Sequence, residues 1–198
     1  LSSAQAQGSG IRVVRDGRQG FAYAGTLDES VIDETLAEAR DNAGFGEVDE
    51  WFGLAEPDGV AVADLDLYRD ELVSFPADRK VELAIELEKA VRATDVRIVG
   101  IESAEYVDSV GESAIVTTTG IRSLSRDTSC YVATYALAEE DGEVQTGFGF
   151  SVGHQPSELD VAVAAAEAAE RATRMLGAVK PASERLTVVL DPWVTAQL

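Results

Sequence analysis

The sequence predicts an α+β fold in which an antiparallel meander sheet carries packed helices. Three observations point there. Residues 97–152 hold successive runs rich in Val, Ile, Thr and Tyr, the residues that suit a pleated, half-buried surface. The runs are joined by turns of a few residues, among them Asp141-Gly142, and strands so closely linked pair antiparallel. Stretches with helical periodicity flank the meander on both sides.

The opening residues 1–7 read as the end of something rather than a beginning. Gly8-Ser-Gly-Ile-Arg-Val-Val-Arg15, the turn Asp16-Gly17-Arg18 and Gln19–Ala24 form a hairpin, which is marginal without further partners. Thr26-Leu-Asp-Glu29 has capping-box spacing. Val31, Ile32, Thr35, Leu36 and Ala39 recur at helical spacing, with Gly44 as the stop. Residues 45–62, with Gly46, Gly53, Pro57 and Gly59, should be irregular; Trp51 and Phe52 there anchor a loop in the core or form an exposed contact surface.

Asp64–Leu72 is a turn or short helical stretch whose acids lack the glycine and terminal glutamate of a calcium loop. Pro76–Arg92 is the clearest helix, with Pro76 suited to the first turn. Leu83, Ala84, Leu87, Ala90 and Val91 form its apolar stripe, flanked by Val81 and Ile85.

Four strands are expected in the meander. The first is Val96–Asp108, followed by a turn at Ser109–Ser113. The second is Ala114–Thr119, resuming after Gly120 as Ile121–Ser125. The third is Thr128–Leu137, and beyond the turn Glu139–Gly142 the fourth is Glu143–Ser151.

Gly153–Pro156 breaks the sheet, and an alanine-rich helix runs from Ser157 to about Leu176 with Gly177 as its stop. Arg171 and Arg174 suit the negative end of that helix. Leu186–Leu190 reads as a buried strand, and Asp191–Leu198 as a helix just beginning, which suggests a fragment.

With 198 residues, 45% of them hydrophobic, the chain supports one ample core or two small ones. No apolar run is long enough to cross a bilayer, and no signal-peptide pattern opens the chain. One cysteine, Cys130, rules out an internal disulfide framework and fits a reducing, cytoplasmic setting. Thirty-six acids face sixteen bases, a net charge of −20, so the average field repels phosphate backbones and anionic lipid; neither nucleic acid nor membrane is an expected partner. Arg12, Arg15 and Arg18 on the hairpin are the most evident basic group.

No self-sufficient active site can be assembled from these residues. His154 is the single histidine and lies in a Gly/Pro loop without a nucleophile signature, so a structural or exposed role fits it better. One His and one Cys make no zinc pattern, short of carboxylate-rich ligation or ligands from elsewhere. Gly111-Glu-Ser113 lacks the closing glycine of a nucleophile elbow. Gly147-Phe-Gly149-Phe-Ser-Val-Gly153 has the wrong spacing for a dinucleotide loop; its glycines instead allow a bulge or a close backbone approach. Cys130 reads as a small core residue. No acid pair stands out as general acid and base. The expected catalytic and metal-binding residues are therefore none, and binding residues are undefined.

Four stretches together resemble the TldD/PmbA family, once called modulators of DNA gyrase and understood as metallopeptidase complexes. They are residues 8–22, Thr117-Thr-Thr-Gly-Ile-Arg122, Ala165–Ala178 and Thr187–Leu198, in an order and spacing that cover nearly the whole chain.

The resemblance implies a mixed α/β N-terminal region. It places an α+β domain over residues 1–186, lacking its first elements and divisible near residue 75, with 187–198 starting a C-terminal β-rich domain. Val188-Val-Leu-Asp-Pro192 is more similar to the PmbA (TldE) type, which lacks the family's zinc motif and pairs with a catalytic TldD subunit. The implied function is thus a non-catalytic scaffold: cavity walls, a partner interface, and an edge strand that holds extended peptide. Zinc would sit in the partner subunit or a missing domain, and the substrate would be an unfolded or modified peptide. The alternatives are the same region of a catalytic TldD-type subunit, or a non-enzymatic peptide-binding module using a sheet edge.

Overall fold

In the computed structural model, residues 1–61, 63 and 65–198 are described. The chain opens with strands β1 (Ser9–Arg15) and β2 (Arg18–Ala24), paired antiparallel from Ser9↔Ala24 to Arg15↔Arg18. Asp16 and Gly17 both have positive φ (53° and 70°), the two-residue turn whose twist matches that of paired strands. Helix α1 (Glu29–Phe45) covers one face of this hairpin. Its cap is Asp28, which accepts from the Ser30 amide, rather than Thr26; the Thr26 hydroxyl accepts from the Asp28 amide one step earlier. The helix also runs through Gly44 and ends at Gly46. Thr35, Ala39 and Ala43 form its buried stripe, with Val31, Ile32 and Leu36 half-buried.

The expected irregular stretch is irregular from 46 to 61, while Val62 lies outside the described residues. Trp51 is 85% exposed, so it does not anchor this loop in a core; the loop is tied instead by the Asp49 amide donating to the Gly17 carbonyl at 2.7 Å. Of the expected turn or helix at Asp64–Leu72, Asp64 lies outside the described residues and helix α2 occupies Asp70–Val73, with Leu72 buried.

Helix α3 (Ala77–Thr94) buries Leu87 and Val91 and half-buries Leu83, Ala84 and Ala90, while Val81 and Ile85 stay exposed. The meander then has three strands rather than four: β3 (Ile98–Val116), β4 (Arg122–Glu140) and β5 (Glu143–Gly153), in that spatial order. Ser109–Ser113 is not a turn. The stretch is polar because it lies in an exposed ribbon, and its hydroxyls bond across the ladder, Ser109 to Ser129 at 2.8 Å and Ser113 to Ser125 at 2.7 Å. Glu112 pairs with Arg126 at 2.8 Å on the other face. Partner numbers fall as strand numbers rise, so β3 and β4 are antiparallel. The turn between them is at residues 117–121, closed by the Thr117 amide donating to the Ile121 carbonyl, with Gly120 at φ +104°. Asp141 and Gly142, again both at positive φ, join β4 to β5.

After a 3₁₀ turn at Pro156–Glu158, helix α4 (Val161–Arg174) is capped by Asp160, which accepts from the Val163 amide, so it starts later than Ser157. It stops at Arg174, and Gly177 adopts φ +72° just beyond. No strand forms at Leu186–Leu190, where Val188 and Val189 are exposed; the described sheets bring no partner strand alongside, and an unpaired strand has no ladder to hold it. Helix α5 (Pro192–Ala196) follows, capped by Asp191.

Two compact units result. One comprises Leu1–Phe75, Asp108–Cys130 and His154–Pro156; the other comprises Pro76–Val107, Tyr131–Gly153 and Ser157–Leu198. The second is built on Leu87, Val91, Ile98, Val132, Ala136 and Ala138 against the alanine stripe Ala164, Ala165, Ala168, Ala169 and Ala172.

Both units use the same device to bring a helix close to a strand. A Cβ added to Gly20 of β2 would lie 2.2 Å from the Ala39 carbonyl oxygen and the Ala43 nitrogen of α1. One added to Gly147 of β5 would lie 2.1 Å from the Ala168 carbonyl oxygen of α4, and one on Gly149 would lie 2.0 Å from that of Ala164. These glycines therefore serve close backbone approach, by a helix onto the sheet face.

Candidate functional surface

In the first unit, the polar residues gather at a structural hub. Thr128 is fully buried; its hydroxyl donates to the His154 carbonyl at 2.7 Å and accepts from the Arg69 amide at 3.1 Å. Its own amide donates to the Leu67 carbonyl at 3.0 Å. His154 returns the contact, with Nδ1 donating to the Thr128 carbonyl at 2.6 Å. The histidine thus fastens the turn after β5 to β4, the structural role its setting suggests. Cys130, 1% exposed, is a core residue. Ser113 faces Ser125 across the ribbon and occupies no elbow.

Nearby, Arg126 stacks over the Tyr68 ring at 3.9 Å while pairing with Glu112, which pins residue 68 to the ribbon. On the hairpin, Arg15 pairs with Asp16, Arg18 donates to the Gly46 carbonyl and Arg12 to that of Gly53. Arg12 and Arg18 fasten the hairpin to its following loop, while Arg15 pairs with its exposed neighbour in the turn. A shallow depression of about 480 Å³ is lined by the six consecutive residues Glu47–Phe52, including Trp51.

In the second unit, Gly147 and Gly149 face α4, so the alternating Phe148 and Phe150 point to the opposite face of the sheet. There the rings of Tyr135, Phe148, Phe150 and Trp193 form a row, with successive centroids 4.8, 5.5 and 4.8 Å apart. Tyr135 is 44% and Trp193 50% exposed, so this row is a partly open apolar surface that residue composition alone did not reveal. The signal was present in the alternation Gly-Phe-Gly-Phe, which puts glycine and aromatic on opposite faces.

Electrostatics in this unit tie elements together. The Arg97 guanidinium bonded to Asp95, at 2.7 and 3.0 Å, holds that carboxyl down at about 2. Glu143 is held below the usual carboxylate range by the Gln145 side chain, and then by the Gly177 amide at 3.0 Å, which links the end of α4 to the start of β5. Tyr131 is pushed up by burial and by Glu105. These groups clamp structure; among the described residues no nucleophile, base and orienting group converge as a set.

Both β1 and β2 are edges of the two-stranded sheet, and β3 and β5 are the edges of the larger one.

The profile described as the PmbA/TldA metallopeptidase central domain matches residues 70–176, more than half of the chain, and that for PmbA/TldA metallopeptidase domain 1 matches residues 1–43. Metalloprotease PmbA of Escherichia coli O157:H7 is 28% identical over 152 residues, covering 76% of this chain and 33% of that protein. The chain thus spans about a third of that relative's length. Three crystal structures are similar at 20% identity. A Bacteroides thetaiotaomicron protein named for modulation of DNA gyrase aligns with a TM-score of 0.75 over 87% of this chain and 40% of its own. A Thermotoga maritima protein of similar name aligns at 0.70 over 89% and 39%. TldE from Thermococcus kodakarensis aligns at 0.64 over 83% and 36%. These structures share the helices-plus-antiparallel-sheet architecture described above. With one family domain matched at its start and another over its middle, the chain belongs to the TldD/PmbA metallopeptidase family.

Proposed function

We propose that this chain is the scaffold and partner- and substrate-cavity region of a non-catalytic PmbA/TldE-type subunit. That subunit would belong to a zinc metallopeptidase heterodimer acting on unfolded or modified peptides in the cytoplasm. The observation that carries the reading is the ordered match to the family's first and central domains, with PmbA and TldE among the relatives. Residues 1–186 would form the N-terminal α+β domain, and residues 187–198 would lead into a β-rich C-terminal domain.

The described residues offer a zinc ion no fitting donor set. Among the described residues no three of His, Cys, Asp and Glu converge as a metal-holding group, His154 Nδ1 is committed to the Thr128 carbonyl, and Cys130 is buried. The ion would be held by the TldD-type subunit. What these residues supply is walls that hold their shape, through the glycine-seated helices, and surfaces that take up polypeptide.

The test mixes this chain with the TldD-type subunit of the same organism. Co-elution at the summed mass, by size-exclusion chromatography with light scattering, is the expected result; two separate peaks at micromolar concentration would overturn it. Under the alternative TldD-type reading, the same gene would encode a His-Glu-x-x-x-His segment. The non-enzymatic module would use an edge of the meander, β3 or β5, and predicts peptide binding unaffected by any TldD-type subunit.

A further inference from the structure

We draw no further inference here: the strongest candidate, the aromatic row of Tyr135, Phe148 and Phe150 on the sheet face opposite α4, carries nothing because the structure shows only the Trp193 ring against it and nothing that identifies what covers the rest.

Discussion

Replacing Gly147 by alanine tests the packing that shapes the second unit. The added Cβ would sit 2.1 Å from the Ala168 carbonyl oxygen and 2.3 Å from the Ala172 nitrogen, whereas ordinary contact begins near 3.4 Å. Both clashing atoms are helix backbone, so no side-chain rotation relieves them; α4 must move off the sheet by roughly 1 Å. That displacement loosens the buried stripe Ala164, Ala165, Ala168, Ala169 and Ala172, and small gaps forfeit a large share of dispersion attraction. Overpacking of this kind costs about 1–3 kcal/mol. Alanine's stiffer unfolded chain returns only about 0.4–1 kcal/mol. A net loss of about 1.3 kcal/mol corresponds to roughly 3–5 °C in Tm for a chain of this size.

The control is Gly44→Ala. Gly44 lies inside α1, and a Cβ there meets nothing within 4 Å. The same chemical change should be neutral or stabilise by up to about 1 kcal/mol. Urea denaturation of the two variants beside the parent chain reads the difference. Equal midpoints for Gly147→Ala and Gly44→Ala would refute the close-approach argument.

Other outcomes follow from single contacts. Thr128→Val keeps the shape of a fully buried side chain but strips the hydroxyl from the His154 carbonyl and the Arg69 amide, and should cost about 1–3 kcal/mol in urea denaturation; an unchanged midpoint would remove the hub from the account. Asp95→Asn should lower stability near neutral pH. The Asp95 carboxyl is held at about 2, below its ordinary value of about 3.9, so the stability it contributes is complete above about pH 4 and lost as pH falls through about 2. The gap between parent and variant should accordingly close on acidification, and a gap that widens would contradict the assigned sign. In a Trp51→Phe background, Phe150→Ala should shift Trp193 fluorescence to longer wavelength as its ring loses a neighbour at 4.8 Å; an unmoved spectrum would mean that α5 does not rest on the sheet in solution.

Much of the architecture was legible in local chemistry. Asp16-Gly17 and Asp141-Gly142 demanded tight turns and formed them, and the Leu87/Val91 stripe identified α3 and its buried face. What failed did so for non-local reasons. Ser109–Ser113 has the composition of a turn, yet its hydroxyls are satisfied by serines on β4, a match visible only once the strands are in register. Leu186–Leu190 has strand composition, but a strand depends on what lies beside it. Asp28 displaced Thr26 as the cap of α1, a two-residue ambiguity inherent in closely spaced capping residues.

The surface was less legible than the fold. The hub role of Thr128 involves residues 26 and more than 50 positions away, and the aromatic row required knowing which face α4 occupies. Trp51, by contrast, was placed by exposure alone, since nothing in its sequence neighbourhood distinguishes an anchor from an outward ring.

The most direct test of the central claim is hydrolysis of an unstructured peptide by this chain with added zinc, measured with and without the TldD-type subunit. Shaping and holding without bond breaking predicts cleavage in the mixture and none from the chain alone. Turnover by the chain alone that disappears with a zinc chelator, and returns when the metal is restored, would contradict it.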